Sequence, residues 1–425
     1  MNLTKKQILI IAAVIIILVG GYFLLRSGLR TTGNVKELTI WGPVDDQNVI
    51  LEMSKKYTQE TGNKVIYKMI DPNNYEQTLI SSLAAGTGPD IFYFKNDWLY
   101  KHYKIIVPAP TSLFTQAAIS DVYAQAVVQN FTSNGYVYAM PLYLDSLAMF
   151  YNQELLDQAA ISFPPKTWEE LVNIIPLITK KDLSGNILIS GVALGTANNV
   201  AHSADILSLL FIQSGAPLAT IEPQKNNLKI EFESSGKSDA LSFYTQFAKP
   251  ESEVYTWNEY FGNSLDEFAK GKVAIVFGYA KDIKYLRSIA PYFNFKIAPM
   301  PQPKNATLIK NYASYWGLAV SKQSPNKTEA WNLINYLMQN DSLQTYSLRT
   351  NLPPAKRTLL QAFATNPIFD VFNKQSYTAL SWYNPDPEKT EIILNQAIND
   401  VLKNKMASYE AIRSIENQIS KLFSN

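Results

Sequence analysis

Residues 83–94 read LAAGTGPDIFYF. The stretch holds the end of a helix, a turn and the start of a strand. Gly86 stops a helix predicted over 75–85, Gly88 and Pro89 suit a tight turn, and Asp90–Phe94 reads as a strand with Asp90 bonding backbone donors in the turn. Working upstream, Glu37–Trp41 reads as a first strand. Residues 48–61 carry Ile50, Met53 and Tyr57 on one helical face, with Gly62 as the stop. Lys64–Ile70 is a second strand. The whole is a β-α-β-α-β run, an α/β signature whose parallel strands present their C-terminal ends to a cleft.

The chain has 425 residues, 47% hydrophobic and 17% charged, with ample material for a core. That length suits two or three domains, or two lobes built from interleaved segments. Net charge is +2, and residues 1–30 contribute +4 through Lys5, Lys6, Arg26 and Arg30, leaving the body at −2. A nearly neutral body without a basic run argues against nucleic acid as a partner. The absence of cysteine excludes disulfides, a thiol nucleophile and Cys-ligated metal. His102 and His202 stand far apart and suggest no metal or cofactor site. Aromatics are plentiful, with 25 Tyr, 20 Phe and 7 Trp. They fit either a ring-rich core or a ligand cleft lined with flat faces and polar tips.

Residues 8–25, ILIIAAVIIILVGGYFLL, are uncharged. As a helix they span roughly 27 Å, near the thickness of a bilayer core. No Ala-x-Ala-like cleavage site follows, and Gly21 stands where a lipoprotein would need cysteine. The reading is therefore one uncleaved transmembrane helix within an anchor at 1–30, then a linker at 31–36. The flanking charges do not orient it.

Helix and strand signals continue to alternate downstream. Asn134-Gly135 marks a hairpin. Thr167-Trp168-Glu169-Glu170 is a capping box. Gly271 leads into the strand KVAIVFG. Ser324-Pro325 is expected to open a helix reaching about Met338, and Ser408 to cap a last helix striped with Ala411, Ile412, Ile415, Ile419 and Leu422.

Six stretches in order resemble the family 1 extracellular solute-binding proteins of ABC importers, the maltose-binding-protein-like group. They are LTIWGPVDD (38–46), LAAGTGPDIFYF (83–94), NGYVYAMPLYLDSLAMFYNQELL (134–156), FPPKTWEEL (163–171), FAKGKVAIVFGYAK (268–281) and YWGLAVSKQSPNKTEAWNLINYL (315–337). The resemblance implies a two-lobed periplasmic-binding-protein fold that closes on solute about a hinge. Carried over, lobe one is 36–144 plus 303–342 and lobe two is 145–302 plus 343–425. It further implies a monomer outside the cytoplasm, a permease partner and a separate ATPase chain. It implies no enzymatic activity and no cofactor. With the apolar run, the expected location is the cell membrane, single-pass.

A sugar offers C–H faces to aromatic rings and hydroxyl edges to Asp, Asn and Arg. Rings and short polar chains after strands are therefore the ligand-binding candidates. They are Trp41, Asp45 and Asp46 after the first strand, Asp97 and Trp98 after the third, and Tyr143 and Asp145 at the first crossover. Asn198 and Asn199 lie in a polar loop, and Tyr279 follows KVAIVFG. Tyr315 and Trp316 precede the strand GLAV, and Trp382 and Tyr383 stand in LSWYNPDPE. Strand alternation lets only one of Tyr315 and Trp316 face a given core, so Tyr315 is expected to pack inward while Trp316 faces ligand.

Enzyme readings fare worse. Adjacent Asp45 and Asp46 do not provide the separated acid and base of a glycosidase. No Gly-x-Ser-x-Gly or His-Glu-x-x-His occurs, and Glu231 occupies the first-glycine position of a would-be phosphate loop ending in Gly236-Lys237-Ser238. A polyamine remains a rival ligand because Asp45, Asp46, Asp97 and Asp145 stand near rings. A membrane-tethered sensor or scaffold is the rival from another class.

Overall fold

The strand Glu37–Gly42 pairs in parallel with Lys64–Met69 on one side and with Ile91–Lys95 on the other. This computed structural model describes residues 36–44, 46–215, 219–222, 227–230, 237–360, 363, 367–382 and 384–423. The helices Gln47–Thr61 and Tyr75–Ala84 make the crossovers, and Gly62 closes the first in a left-handed conformation at φ 77°. Asp90 bonds across the sheet instead of within its own turn. Its Oδ2 accepts from the Thr39 N–H at 2.9 Å and its Oδ1 from the Ser324 hydroxyl at 2.6 Å.

A distant segment completes this first sheet. Trp316–Ser321 runs antiparallel to Ile91–Lys95, with Trp316 opposite Lys95 and Val320 opposite Ile91. The register sets Trp316 at the C-terminal end of the parallel strands, where a cleft opens in such sheets. Gly317 is required there, since a Cβ would come within 2.6 Å of the Phe131 ring and 2.8 Å of the Met140 carbonyl.

The second sheet runs in the order Lys296–Ala298, Ala148–Tyr151, Val273–Gly278, Ile187–Val192, Lys180–Lys181. Ile187–Val192 and Val273–Gly278 are parallel, and Ala148–Tyr151 opposes the latter. Between the sheets the chain crosses in neighbouring segments. Leu147 N–H donates to the Tyr312 carbonyl at 2.9 Å, Ser314 N–H to the Asp145 carbonyl at 3.0 Å, and Leu144 N–H to the Pro353 carbonyl at 3.0 Å. Asn311–Tyr312 pairs with Ala379–Leu380 alongside.

Local expectations mostly match. Asn134 and Gly135 take positive φ in the hairpin Thr132–Val137, and Thr167 forms the full capping box. Two helix starts differ. The helix expected from Ser324 begins at Lys327, because the Ser324 hydroxyl accepts from the Asn326 N–H and forms an entry turn. Ser408 lies inside the last helix, Ser408–Phe423, and the Glu410 carboxylate receives the Ala407 N–H at 2.9 Å. Among the described residues no helix is long and apolar enough to cross a membrane. The apolar run 8–25, the linker up to residue 35, Asp45, Tyr383 and the Glu231–Gly236 stretch lie outside the described residues.

Candidate functional site

The first sheet ends in interlocked rings. Trp98, just past Ile91–Lys95, stacks on Tyr75 with centroids 5.9 Å apart. Trp316 stands edge-on to both, 5.3 Å from Trp98 and 5.6 Å from Tyr75. The Tyr75 hydroxyl fixes the group by lying against the carbonyls of Trp41 (3.1 Å) and Tyr93 (2.8 Å). Trp98 is buried, whereas Trp316 keeps part of its surface open. Tyr315, one residue earlier, is buried and donates its hydroxyl to Asn130 Oδ1 at 2.8 Å. The Trp41 ring is buried beneath the Lys68 ammonium, 4.4 Å from its centroid.

Asp46 and Tyr143 lie in a separate knot. Asp46 is buried and accepts from the Tyr93 hydroxyl and from the Tyr346 hydroxyl at 2.8 Å; burial pushes its carboxyl up. Tyr143 stacks on Tyr346 at 6.2 Å. This knot ties the helix Asn340–Thr350 to the loop after the first strand.

The second sheet leads into Tyr279, which is fully buried and held by polar groups. Its hydroxyl donates to Asp205 Oδ2 at 2.7 Å and its N–H to Asp282 Oδ2 at 2.8 Å. The same Asp282 oxygen contacts His202 Nε2 at 2.7 Å, and the His202 ring stands edge-on to Tyr279 at 4.8 Å. His202 itself adopts φ 59°, an unusual conformation for a residue with a side chain. Asp145 receives the N–H groups of Ala280 (2.9 Å) and Lys281 (3.1 Å), which are otherwise orphaned at the start of the helix Ala280–Ile289. Asp145 is fully buried, and burial pushes its carboxyl up to about 7 against those two N–H groups.

The polar loop residues divide. Asn199 donates to the carbonyls of Asn258 (2.9 Å) and Phe261 (3.0 Å) and accepts from Trp257 Nε1 (3.1 Å), so it braces a loop. Asn198 is exposed. Trp382 is buried, and it and Ser208 lie against the Tyr312 hydroxyl.

Charges from the two sheets meet between these walls. Lys95 Nζ pairs with Asp97 Oδ2 at 3.3 Å, while the buried Asp97 Oδ1 has no hydrogen-bond partner among the described residues. Burial pushes the Asp97 carboxyl up, opposed by Lys95 and reinforced by the Asp205 charge. Burial alone would lower Lys95, yet Asp97, Asp205 and Glu391 hold it above its ordinary value. Asp205 lies in the helix Ser203–Gln213 and Glu391 in Pro387–Leu402, so opposed charges from separate segments meet here. Rings, carboxylates and one ammonium in a cleft can cover C–H faces and bond hydroxyl edges. Among the described residues no cluster of His, Asp and Glu could hold a metal ion.

Sequence reasoning missed Tyr75, Lys95, Asp205, His202 and Tyr312 as parts of these walls. Lys95 carried a usable signal, since it ends a buried strand beside Asp97. Asp205 and His202 did not, because their partners lie more than seventy positions away, at Tyr279 and Asp282.

Comparison with known proteins agrees with this architecture. Residues 52–370 match the sequence profile described as bacterial extracellular solute-binding protein. A maltooligosaccharide ABC transporter solute-binding lipoprotein of Streptococcus pneumoniae is 22% identical over 408 residues, 92% of this chain and 91% of that protein. The cyclic alpha-maltosyl-1,6-maltose binding protein of Arthrobacter globiformis superposes with a TM-score of 0.75 at 18% identity, covering 92% of this chain and 99% of that one. An ABC transporter solute-binding protein of Thermotoga lettingae, bound with alpha-D-tagatose, gives 0.73 at 20% identity, with 91% and 100% covered. The two-lobed α/β fold is therefore shared with binding proteins, and the profile spans three quarters of the sequence. By that match this chain, a binding protein and not an enzyme, belongs to the family of bacterial extracellular solute-binding proteins.

Proposed function

We propose that this protein is the receptor of an ABC importer that captures an oligosaccharide between its lobes by hinge closure. The observation that carries this is the meeting of two unlike walls at one cleft. Trp316 with Lys95 and Asp97 stands on one side; Tyr279 with Asp205 stands on the other. Trp316, partly open, is the proposed stacking face, and Asp97 Oδ1 the proposed hydroxyl acceptor. The maltooligosaccharide and cyclic maltosyl-maltose ligands of the similar proteins from Streptococcus pneumoniae and Arthrobacter globiformis support a carbohydrate.

The lobe division is part of the proposal. Tyr346 bonding Asp46 supports drawing the second crossing after residue 350, so that Asn340–Thr350 stays with the first lobe. Residues 8–25 are proposed as an uncleaved membrane anchor holding the body outside the cytoplasm, next to the permease. A monomer suffices for this role.

The test is a thermal-shift screen of the full chain, in a detergent without a sugar headgroup, against maltotriose, other oligosaccharides, spermidine and amino acids. Bound ligand raises the melting temperature by mass action. A shift with oligosaccharides is expected. A shift with spermidine and none with any sugar would assign the cleft to polyamines instead. N-terminal sequencing of the mature protein tests the anchor: a start near residue 30 would mean cleavage.

A further inference from the structure

A short helix of the first lobe reaches across to the second. Leu99–His102 follows Trp98, and its Lys101 ammonium lies 2.9 Å from Asp386 Oδ1. Asp386 caps the helix Pro387–Leu402, which packs with Ser408–Phe423 and Ser203–Gln213 in the second lobe. Lys101 also pairs with Glu76 of its own lobe at 2.7 Å, and Glu76 contacts His102 Nε2 at 2.7 Å. Lys389 joins Asp386 from the far side at 3.3 Å. Beside this ion chain, Tyr100 meets Phe423 edge-on at 5.0 Å, a second and independent contact between the lobes.

We propose that Leu99–His102 is a latch: Lys101 on Asp386 and Tyr100 on Phe423 hold the two lobes together and bias the chain toward the closed cleft before solute arrives. The proposal rests on the two-lobed hinge reading and deepens it. Hinge closure requires contacts that exist only when the lobes meet. Lys101 and Asp386 join the two lobes in this way, and their surroundings favour the charged form of the pair. Glu76 and Asp386 raise Lys101 although burial lowers it, and Lys101 with His102 holds Glu76 at about 2. Lys101 and Asp386 are mostly covered, at 22% and 11% side-chain exposure, so the pair is less screened than an ordinary surface bridge. The latch is also joined to the cleft wall. Trp98 precedes the helix and stands edge-on to His102 at 5.2 Å, and Glu76 follows the Tyr75 on which Trp98 stacks.

The absence of native cysteine makes the test direct. Spin labels at Ala85→Cys and Asn417→Cys, exposed positions with one in each lobe, report the distance between lobes in the full chain in detergent. Without ligand, the Lys101→Met variant is expected to lower the ratio of short to long distances about tenfold, the scale of one charged hydrogen bond. Lys101→Arg should retain the short distance. Raising salt to about 1 M should lengthen the distance in the parent chain and leave Lys101→Met unmoved. Matching distance distributions for parent and Lys101→Met, or equal salt responses, would overturn the latch. Maltotriose is the ligand probe in a separate arm. Latch-dependent distances with no maltotriose response in melting would leave the latch standing and count against the carbohydrate reading. Maltotriose stabilisation with distances indifferent to Lys101 would do the reverse.

Discussion

The two sheets each hold an aromatic residue beside the proposed cleft, Trp316 partly open and Tyr279 fully buried, and support it by different means. On the first lobe, Trp316 leans on Trp98 and Tyr75, ring against ring. On the second, Tyr279 is framed by carboxylates: Asp205 at its hydroxyl, Asp282 at its N–H and Asp145 at the two N–H groups that follow. Interlocked rings gain from buried area and edge-to-face geometry, neither of which titrates. A carboxylate frame depends on which groups hold protons. The ring support on the first side should therefore be insensitive to pH, and the pH response of the cleft should come from its carboxylates, Asp145 on the second side and Asp97 beside the rings.

The largest effect should come from breaking the ring side. Trp98→Ala removes a buried indole that touches Tyr75, Phe94, His102 and Trp316. A loss of about 3–5 kcal/mol in unfolding free energy is expected, measured by denaturant titration and independent of pH between 5 and 8. Trp316→Ala, with its open face, should lose far less stability yet weaken maltotriose binding more than tenfold by titration calorimetry, a rough scale for one stacking ring. A large stability loss with unchanged affinity would return Trp316 to the core.

The frame on the other side predicts a slope. Asp145 keeps its proton up to about 7, whereas the ordinary value is 3.8. Between those values the folded chain holds a proton that the unfolded chain has lost. The favourable contribution is thus complete below the lower value and disappears as pH rises through the upper one. Asp145→Asn removes this titration. Relative to the variant, the parent should lose at most about 4 kcal/mol between pH 4 and 7. Parallel stability curves across that window would show that the two N–H groups hold Asp145 ionised throughout.

How far these walls were legible follows from their chemistry. The run from Glu37 to Phe94 reads directly, because helical and strand periods alternate and Gly62 and Gly86 mark the ends. Trp316 is readable too, since a ring pair entering a buried strand must split between faces. Tyr315 is the inward member, bonded to Asn130. Ring–ring support leaves a composition signal but no spacing, as Tyr75, Trp98 and Trp316 come from three distant segments. Polar support leaves less. Asp205 reads as an ordinary first-turn acid of the helix Ser203–Gln213, and only the fold brings Tyr279 to it. Asn199 and Asp46 show the converse, with the side-chain type expected at a sugar edge but bonds made to the protein itself.

The smallest change sharpens the comparison most. Tyr279→Phe keeps the ring and its contact with His202 but removes the hydroxyl that donates to Asp205. Asp205 is only part-buried, so water can replace the lost donor in an open cleft, and the stability cost should stay near 1 kcal/mol. In a closed cleft the unpaired carboxylate lies near Asp97, with the Lys95 ammonium to offset both. The penalty should therefore appear in maltotriose affinity more than in unfolding, and grow with pH as Asp97 loses its proton. The folded Asp97 value is raised by burial, so the added repulsion is smallest where Asp97 keeps its proton and grows as pH rises through that value. An affinity loss that is flat from pH 5 to 8 would mean that the hydroxyl serves only to hold the ring, and that the two walls, though built differently, respond alike.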